Sequence, residues 1–236
     1  VLRPRRGGHS RSDWITVIAF GLSLGLMNFT FYSSLAHLPI GVAVTIEFIG
    51  PLTLAAVLSR RWTDAVAVAA AAGGVLLMSG VFHEHLDTLP WEGILLALAA
   101  GALWAAYIIF SGRTGAVFER LDGLVWAMVV ATVVTLPLGV ASIPSWTAAT
   151  MVKGLGIAVL SSILPYSLEL IALRRLSAKA FGVLLSLEPA FAALAGLLVL
   201  GQRLSANQLI GMALVVSASA IVLGMGARDR QTIVTD

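Results

Sequence analysis

The sequence predicts an all-α polytopic membrane protein with eight transmembrane helices. Three observations lead there: 58% of the 236 residues are hydrophobic and 11% charged, apolar runs of membrane-spanning length recur, and the basic residues are distributed very unevenly among the segments between them. A mean hydropathy of +0.95 exceeds what a water-soluble domain of this size uses.

A helix crosses the hydrocarbon with roughly 20 apolar residues, at about 1.5 Å of rise each. Eight stretches meet this: Trp14–Ser34, Ile40–Leu58, Ala65–Phe82, Trp91–Phe110, Gly123–Val140, Met151–Leu173, Ala180–Leu200 and Ala206–Met225. A β-barrel is excluded, because its strands would read as alternating segments of about ten residues. The short polar connections leave no room for a soluble domain. The organisation read from this is an N-terminal segment 1–13, a group of three helices over 14–82, a group of five over 91–225, and a tail 226–236. Trp14, Trp62, Trp91 and Trp146 fall at span ends, where interfacial anchors belong, while Trp104 and Trp126 lie within spans.

Orientation follows from the cations. With eight spans, 13 of the 15 Lys and Arg residues face one side, and Lys153 and Arg203 face the other. That asymmetry places both termini in the cytoplasm. The arginines lie in short connections instead of forming one basic face, so no nucleic-acid partner is expected. Cysteine is absent, which excludes a disulfide framework, a thiolate metal site and a cysteine nucleophile. The chain opens on Val1 where a translation product carries methionine, and an N-terminal truncation is expected.

The sequence also resembles itself. Leu35-Ala36-His37-Leu38 and the span ending Gly50-Pro51-Leu52 match Leu173-Arg174-Arg175-Leu176 and the segment Glu188-Pro189-Ala190 at a constant offset of 138. Arg61-Trp62-Thr63 resembles Arg203-Leu204-Ser205 after a four-residue shift. Spans one to three thus correspond to spans six to eight. An offset of five helices inverts the second copy in the membrane, a plan common among secondary transporters. Spans four to eight form a complete five-helix copy, and two helices are expected before Trp14.

Of the twelve acidic residues, Glu47, Glu169 and Glu188 fall within apolar spans. A charge near the bilayer centre costs about 2.5–3.5 kcal/mol on insertion scales, so such groups face the protein interior or water. Glu47 lies ~10 Å from the outer end of its helix, at a depth that Asn28 on the preceding span shares, so the two are expected to meet in one polar cavity. Glu188 lies roughly 12 Å from the cytoplasmic end and Glu169 about one turn from it. A carboxylate withdrawn from water can load and release a proton, or it can hold an ammonium group. Competition between the two would couple transport to protons. The competing roles are structural: an interhelical hydrogen bond for Glu47 or Glu188, and snorkelling to the interface for Glu169.

Tyr32, Trp104, Tyr107 and Tyr166 are amphipathic side chains that can line a pathway and present ring faces to a cation, or simply pack between helices. Pro51, Pro165 and Pro189 each interrupt a span's backbone ladder. Gly21 with Gly25, and Ala192 with Gly196, are small-residue pairs that allow close helix approach; contact within one monomer is favoured over a homodimer, which stays possible. Enzyme signatures are poor. There is no Gly-x-x-x-x-Gly-Lys-Ser/Thr loop, His83-Glu84-His85 offers no third metal ligand, and Ser33, Ser34 and His37 have no oxyanion element beside them. No cofactor or metal is expected.

Three segments carry a family resemblance: Pro39 to Leu52 (Pro-Ile-Gly-Val-Ala-Val-Thr-Ile-Glu-Phe-Ile-Gly-Pro-Leu), Leu164 to Leu173 (Leu-Pro-Tyr-Ser-Leu-Glu-Leu-Ile-Ala-Leu), and Ser186-Leu187-Glu188-Pro189-Ala190. They resemble the threonine/homoserine exporter group, in the EamA branch of the drug/metabolite transporter superfamily. The resemblance implies a ten-helix fold of two inverted five-helix repeats around a central cavity, of which this chain holds eight helices. It further implies proton-driven export of threonine, homoserine and related small amino acids across a bacterial inner membrane, and matches Glu47, Glu169 and Glu188 to the family's acidic positions. The chain departs from the pattern at Leu200-Gly201-Gln202, where the family often has Leu-Gly-Glu, and the family's first two helices are expected to be missing from it. Export of another metabolite or a drug-like cation, and a non-transporting scaffold, are the alternatives.

Overall fold

The computed structural model describes residues 9–59, 61–79, 89–140, 143, 146–200 and 205–234. Among them there is no strand. The helices are α1 (Arg11–Ser34), α2 (Ile40–Val57), α3 (Trp62–Met78), α4 (Trp91–Val117), α5 (Asp122–Val140), α6 (Ala148–Ile157), α7 (Leu164–Leu173), α8 (Ala178–Leu185), α9 (Glu188–Leu200) and α10 (Ala206–Val234), with a π-helical stretch Ala158–Ile163 joining α6 to α7. Among the described residues, four runs are long and apolar enough to cross a membrane: Arg11–Ser34, Ile40–Val57, Trp91–Val117 and Ala148–Leu173. Shorter apolar helices cover Trp62–Met78, Asp122–Pro137 and Ala206–Val222. Large side chains such as Val57, Val152, Leu160 and Leu198 are two-thirds or more exposed, as lipid-facing positions are.

Polar residues at helix starts serve the backbone donors that a helix leaves unmatched. Ser10 and Asp13 exchange main-chain and side-chain bonds at 2.7 and 3.2 Å before α1. Ser205 and Gln208 do the same at 2.8 and 3.2 Å before α10, a capping box in each case. Thr147 caps α6 through the Thr150 N–H at 3.2 Å.

The prolines explain where the predicted spans and the helices differ. Proline has no N–H, and its ring crowds the carbonyl four residues back. Ala180–Leu200, predicted as one span, is two helices, because the chain tightens into three-residue turns at Ser186 and Leu187, whose N–H groups reach Val183 and Leu184. Glu188 and Pro189 then begin α9. Before Pro165 the helix loosens into the π stretch instead, and the run to Leu173 stays continuous. α2 continues through Pro51 unbroken.

The chain divides into two compact units, one of Val1–Phe29 and Ala106–Ser177, the other of Thr30–Ala105 and Ala178–Asp236. In the first, α1 lies on α5 through the predicted small-residue pair, with Gly21 against Ala127 and Val130 and Gly25 against Ala131. The other predicted small-residue pair, Ala192 with Gly196, belongs to the second unit, where these side chains lie outside the described residues. The C-terminal end of α4 is held by Arg174, whose guanidinium donates to the carbonyls of Gly115 and Phe118, each at 2.8 Å, and to that of Arg120. Arg120 makes the turn into α5 at φ 49°. Trp14 and Trp126 meet edge-on near this end, with centroids 5.5 Å apart.

In the second unit α3 packs along α10. A Cβ on Gly74 would stand 2.7 Å from the Gly211 carbonyl oxygen, and one on Gly211 would stand 2.7 Å from that of Gly74, so the backbones touch. α2 packs on both α3 and α8. Leu38, Val42, Ala43 and Ala97 form a buried cluster beside Phe31 and Ile46. Trp62 and Trp91 of this unit, and Trp146 of the first, are each half or more exposed at helix ends.

Arg174→Ala should lower the unfolding free energy by roughly 2 kcal/mol, since carbonyls lose a charged donor. Lysine, a single point charge, should recover less than half of it. Denaturant unfolding of detergent-solubilised protein reads both.

Candidate functional site

The second unit contains a cavity of about 520 Å³, within the range of small-molecule sites of about 300–1,000 Å³. Glu47 and Glu188 both line it, together with Phe31, Phe48, Trp104 and Gln208. Glu47 is 8% exposed, whereas Glu188 is the more open of the two. Among the described residues no hydrogen bond or counter-charge reaches either carboxylate. Phe48 and Trp104 meet edge to face at 5.0 Å and form an aromatic wall.

Local sequence places each of these groups. Pro51 supplies no N–H to the carbonyl of Glu47 four residues before it, leaving that acceptor without its helical donor. It lies against Gly101 of α4, where a Cβ would come within 2.6 Å of it. Gly50 in turn meets the Gly101 backbone so closely that no side chain fits. α2 and α4 therefore touch main chain to main chain beside Glu47, with Trp104 on the next turn of α4. Glu188 is set by the break before α9, as the first residue of that helix, where the backbone N–H groups are oriented to favour an acid.

The first unit holds a second polar group. The Tyr107 hydroxyl, on a fully buried side chain, donates to Glu169 at 2.6 Å. The Asn28 amide donates to the Tyr166 hydroxyl at 2.9 Å and to the Leu24 carbonyl at 2.9 Å. The two tyrosine rings lie 5.8 Å apart, and Phe20 packs on Tyr107. Glu169 is thus held by a neighbouring helix and does not simply snorkel.

Seven of the eight predicted site residues accordingly fall into two groups, Glu47, Glu188 and Trp104 in the cavity, and Asn28, Tyr107, Tyr166 and Glu169 in the hydrogen-bonded set. Tyr32 belongs to neither: it is 61% exposed and touches the Phe31 ring. Reading the sequence missed Phe31, Phe48 and Gln208, whose types are ordinary for a span or a cap. It missed the role of Gly50 and Gly101 as well, although the Gly50-Pro51 pair was a legible signal. No group of three metal-ligating side chains occurs among the described residues. His83, Glu84, His85 and the Gly201-Gln202 departure lie outside the described residues.

Apolar spans with carboxylates turned to an internal cavity define a multi-pass helical membrane protein. Residues 91–224 match the EamA-like transporter family. The chain is 39% identical over 221 residues to the threonine/homoserine exporter RhtA of Escherichia coli K12 and to that of Salmonella typhimurium LT2, covering 92% of this chain and 74% of each relative. An uncharacterized transporter of Haemophilus influenzae is 30% identical over 135 residues, 56% of this chain and 79% of its own length. A crystal structure at 19% identity superposes with a TM-score of 0.73 over 91% of this chain and 78% of its own, a likeness of fold. The chain belongs to the EamA-like transporter family.

Gly50→Ala should push α2 off α4, cost roughly 1–3 kcal/mol and displace Glu47. Gly73→Ala, which meets nothing within 4 Å, should leave stability and activity within experimental error. Thermal unfolding alongside substrate uptake distinguishes the two.

Proposed function

We propose that this protein is a secondary transporter that exports small neutral amino acids of the threonine and homoserine type across the bacterial inner membrane, coupled to protons. The observation that carries the reading is the pair of intramembrane carboxylates, Glu47 and Glu188, facing one aromatic-walled cavity in a chain similar to threonine/homoserine exporters over 92% of its length. An ammonium group entering that cavity meets acceptors that no donor among the described residues occupies, and the aromatic faces favour a cation. A proton competes for the same oxygens. Binding of one displaces the other, which is the thermodynamic basis of exchange. Glu169, held by Tyr107, is a second acid for proton handling, with Asn28 and Tyr166 beside it.

An eight-span reading groups α6 with α7 and α8 with α9, and puts both termini in the cytoplasm by the distribution of basic residues. The inverted repeat is supported by its offset: α1 corresponds to α6–α7, α2 to α8–α9 and α3 to α10. Asn28 and Tyr166, which bond each other, are themselves 138 positions apart. The three-helix group 14–82 and the five-helix group 91–225 are then unequal portions of two copies. A broken seventh span, with Glu188 at the head of a half-helix, fits the way such carriers build sites.

The Phe48–Trp104 wall beside two acids also suits a drug-like organic cation. Competition by such a cation against labelled threonine, in the same vesicles, decides between the substrates.

In proteoliposomes an imposed pH gradient should accelerate efflux of labelled threonine. Glu47→Gln or Glu188→Gln should cut the rate by about tenfold or more, the loss expected of a group directly engaging substrate. Efflux indifferent to both substitutions and to the gradient would refute the assignment.

A further inference from the structure

In the second unit the cavity lies toward one end of α2 and α3, and close packing fills the other. The first two and a half turns of α2, from Ile40 to Phe48, and the end of α3, at Val75, Met78 and the following Ser79, border the cavity. Beyond Phe48 the cavity stops. The Pro51 carbonyl lies 2.8 Å from the position of a Cβ on Gly182, and the Ala55 side chain lies 3.5 Å from it, so α8 is closed directly onto α2. Ala55 is fully buried there.

At that sealed end Lys179 Nζ, in the first turn of α8, reaches Asp64 Oδ2, in the first turn of α3, at 2.9 Å. Asp64 is 2% exposed and the lysine 28%. The Asp64 carboxylate also receives the Arg61 N–H at 3.4 Å, which fixes it to the start of its own helix. A lysine in a helix's first turn opposes the helix dipole, whereas an aspartate there is favoured. Lys179 therefore gains little from α8 itself, and its placement is accounted for by the partner across the seal. The pair joins two helices whose opposite portions, or whose neighbours, border the cavity.

We propose that Asp64 and Lys179 form the latch that closes the translocation path on their side of the membrane, and that the pair parts in each cycle to admit the carried molecule from that side. On the orientation above this is the cytoplasmic side, where an exported molecule enters. The inference rests on the exporter reading, but its test does not require transport.

The chain contains no cysteine, so single cysteines report accessibility directly. With the full chain in proteoliposomes and a membrane-impermeant maleimide applied to each face in turn, the Val44→Cys protein should label and the Ala55→Cys protein should be protected. Adding Lys179→Gln should speed labelling at Ala55→Cys by about fivefold or more, from the latch side alone, and slow it at Val44→Cys. Asp64→Asn should act in the same direction, which keeps the test usable if one variant folds poorly. The charge exchange Asp64→Lys with Lys179→Asp should return both rates to within about twofold of the starting values. Labelling unmoved by either neutralising variant, or equal gains from both faces, would overturn the latch. Absence of threonine efflux from the unsubstituted protein would count against the exporter reading and leave the labelling result standing.

Discussion

The backbone contact between α2 and α4 is the constraint on which the cavity depends. A bilayer offers no water to satisfy a carbonyl, so each proline in a span creates an acceptor that the fold must place. Pro51 does this to Glu47, and the structure sets the freed carbonyl against Gly101, a position without a side chain. Because Gly50 lies on the same backbone, α2 and α4 are locked in one register. That register turns the Glu47 carboxylate to the cavity and brings Trp104 to meet Phe48. One missing N–H thus fixes both the acid and the aromatic wall.

The same logic runs with different outcomes at Pro165 and Pro189. Before Pro165 the helix absorbs the defect as a π stretch and continues. Before Pro189 it breaks, and the break delivers Glu188 at the start of a new helix. Whether a proline kinks, loosens or divides a span depends on what packs beside it, and that is information a linear reading lacks. For this reason the apolar stretch Ala180–Leu200 looked continuous in sequence and is not.

Much of the site was legible because intramembrane charge is expensive. Glu47, Glu169 and Glu188 stand out from an apolar background, and each is found facing a cavity or a buried hydroxyl. Tyr107 and Tyr166 were legible as polar-tipped residues within spans, though not their division of labour with Glu169 and Asn28. Tyr32 carried the same signal and faces outward, since an aromatic near a helix end satisfies an interface equally well. Lys179, Asp64 and Arg174 were hidden for the opposite reason. Near span ends, charges are ordinary: Lys179 counted only toward orientation, and Arg174 only toward orientation and the repeat. In the fold, Lys179 closes one end of a helix group and Arg174 holds the end of α4.

On the proposed function, the substrate's ammonium group sits between Glu47 and Glu188. Solid-state NMR on the membrane-embedded protein, with ¹⁵N-threonine bound and the glutamate carboxyl carbons ¹³C-labelled, measures this directly. Dipolar coupling to two carboxyl carbons at about 4 Å or less is expected, as direct hydrogen bonding requires, with each signal removed by substitution of one glutamate. Bound threonine whose nitrogen shows no coupling to either carboxyl would contradict it.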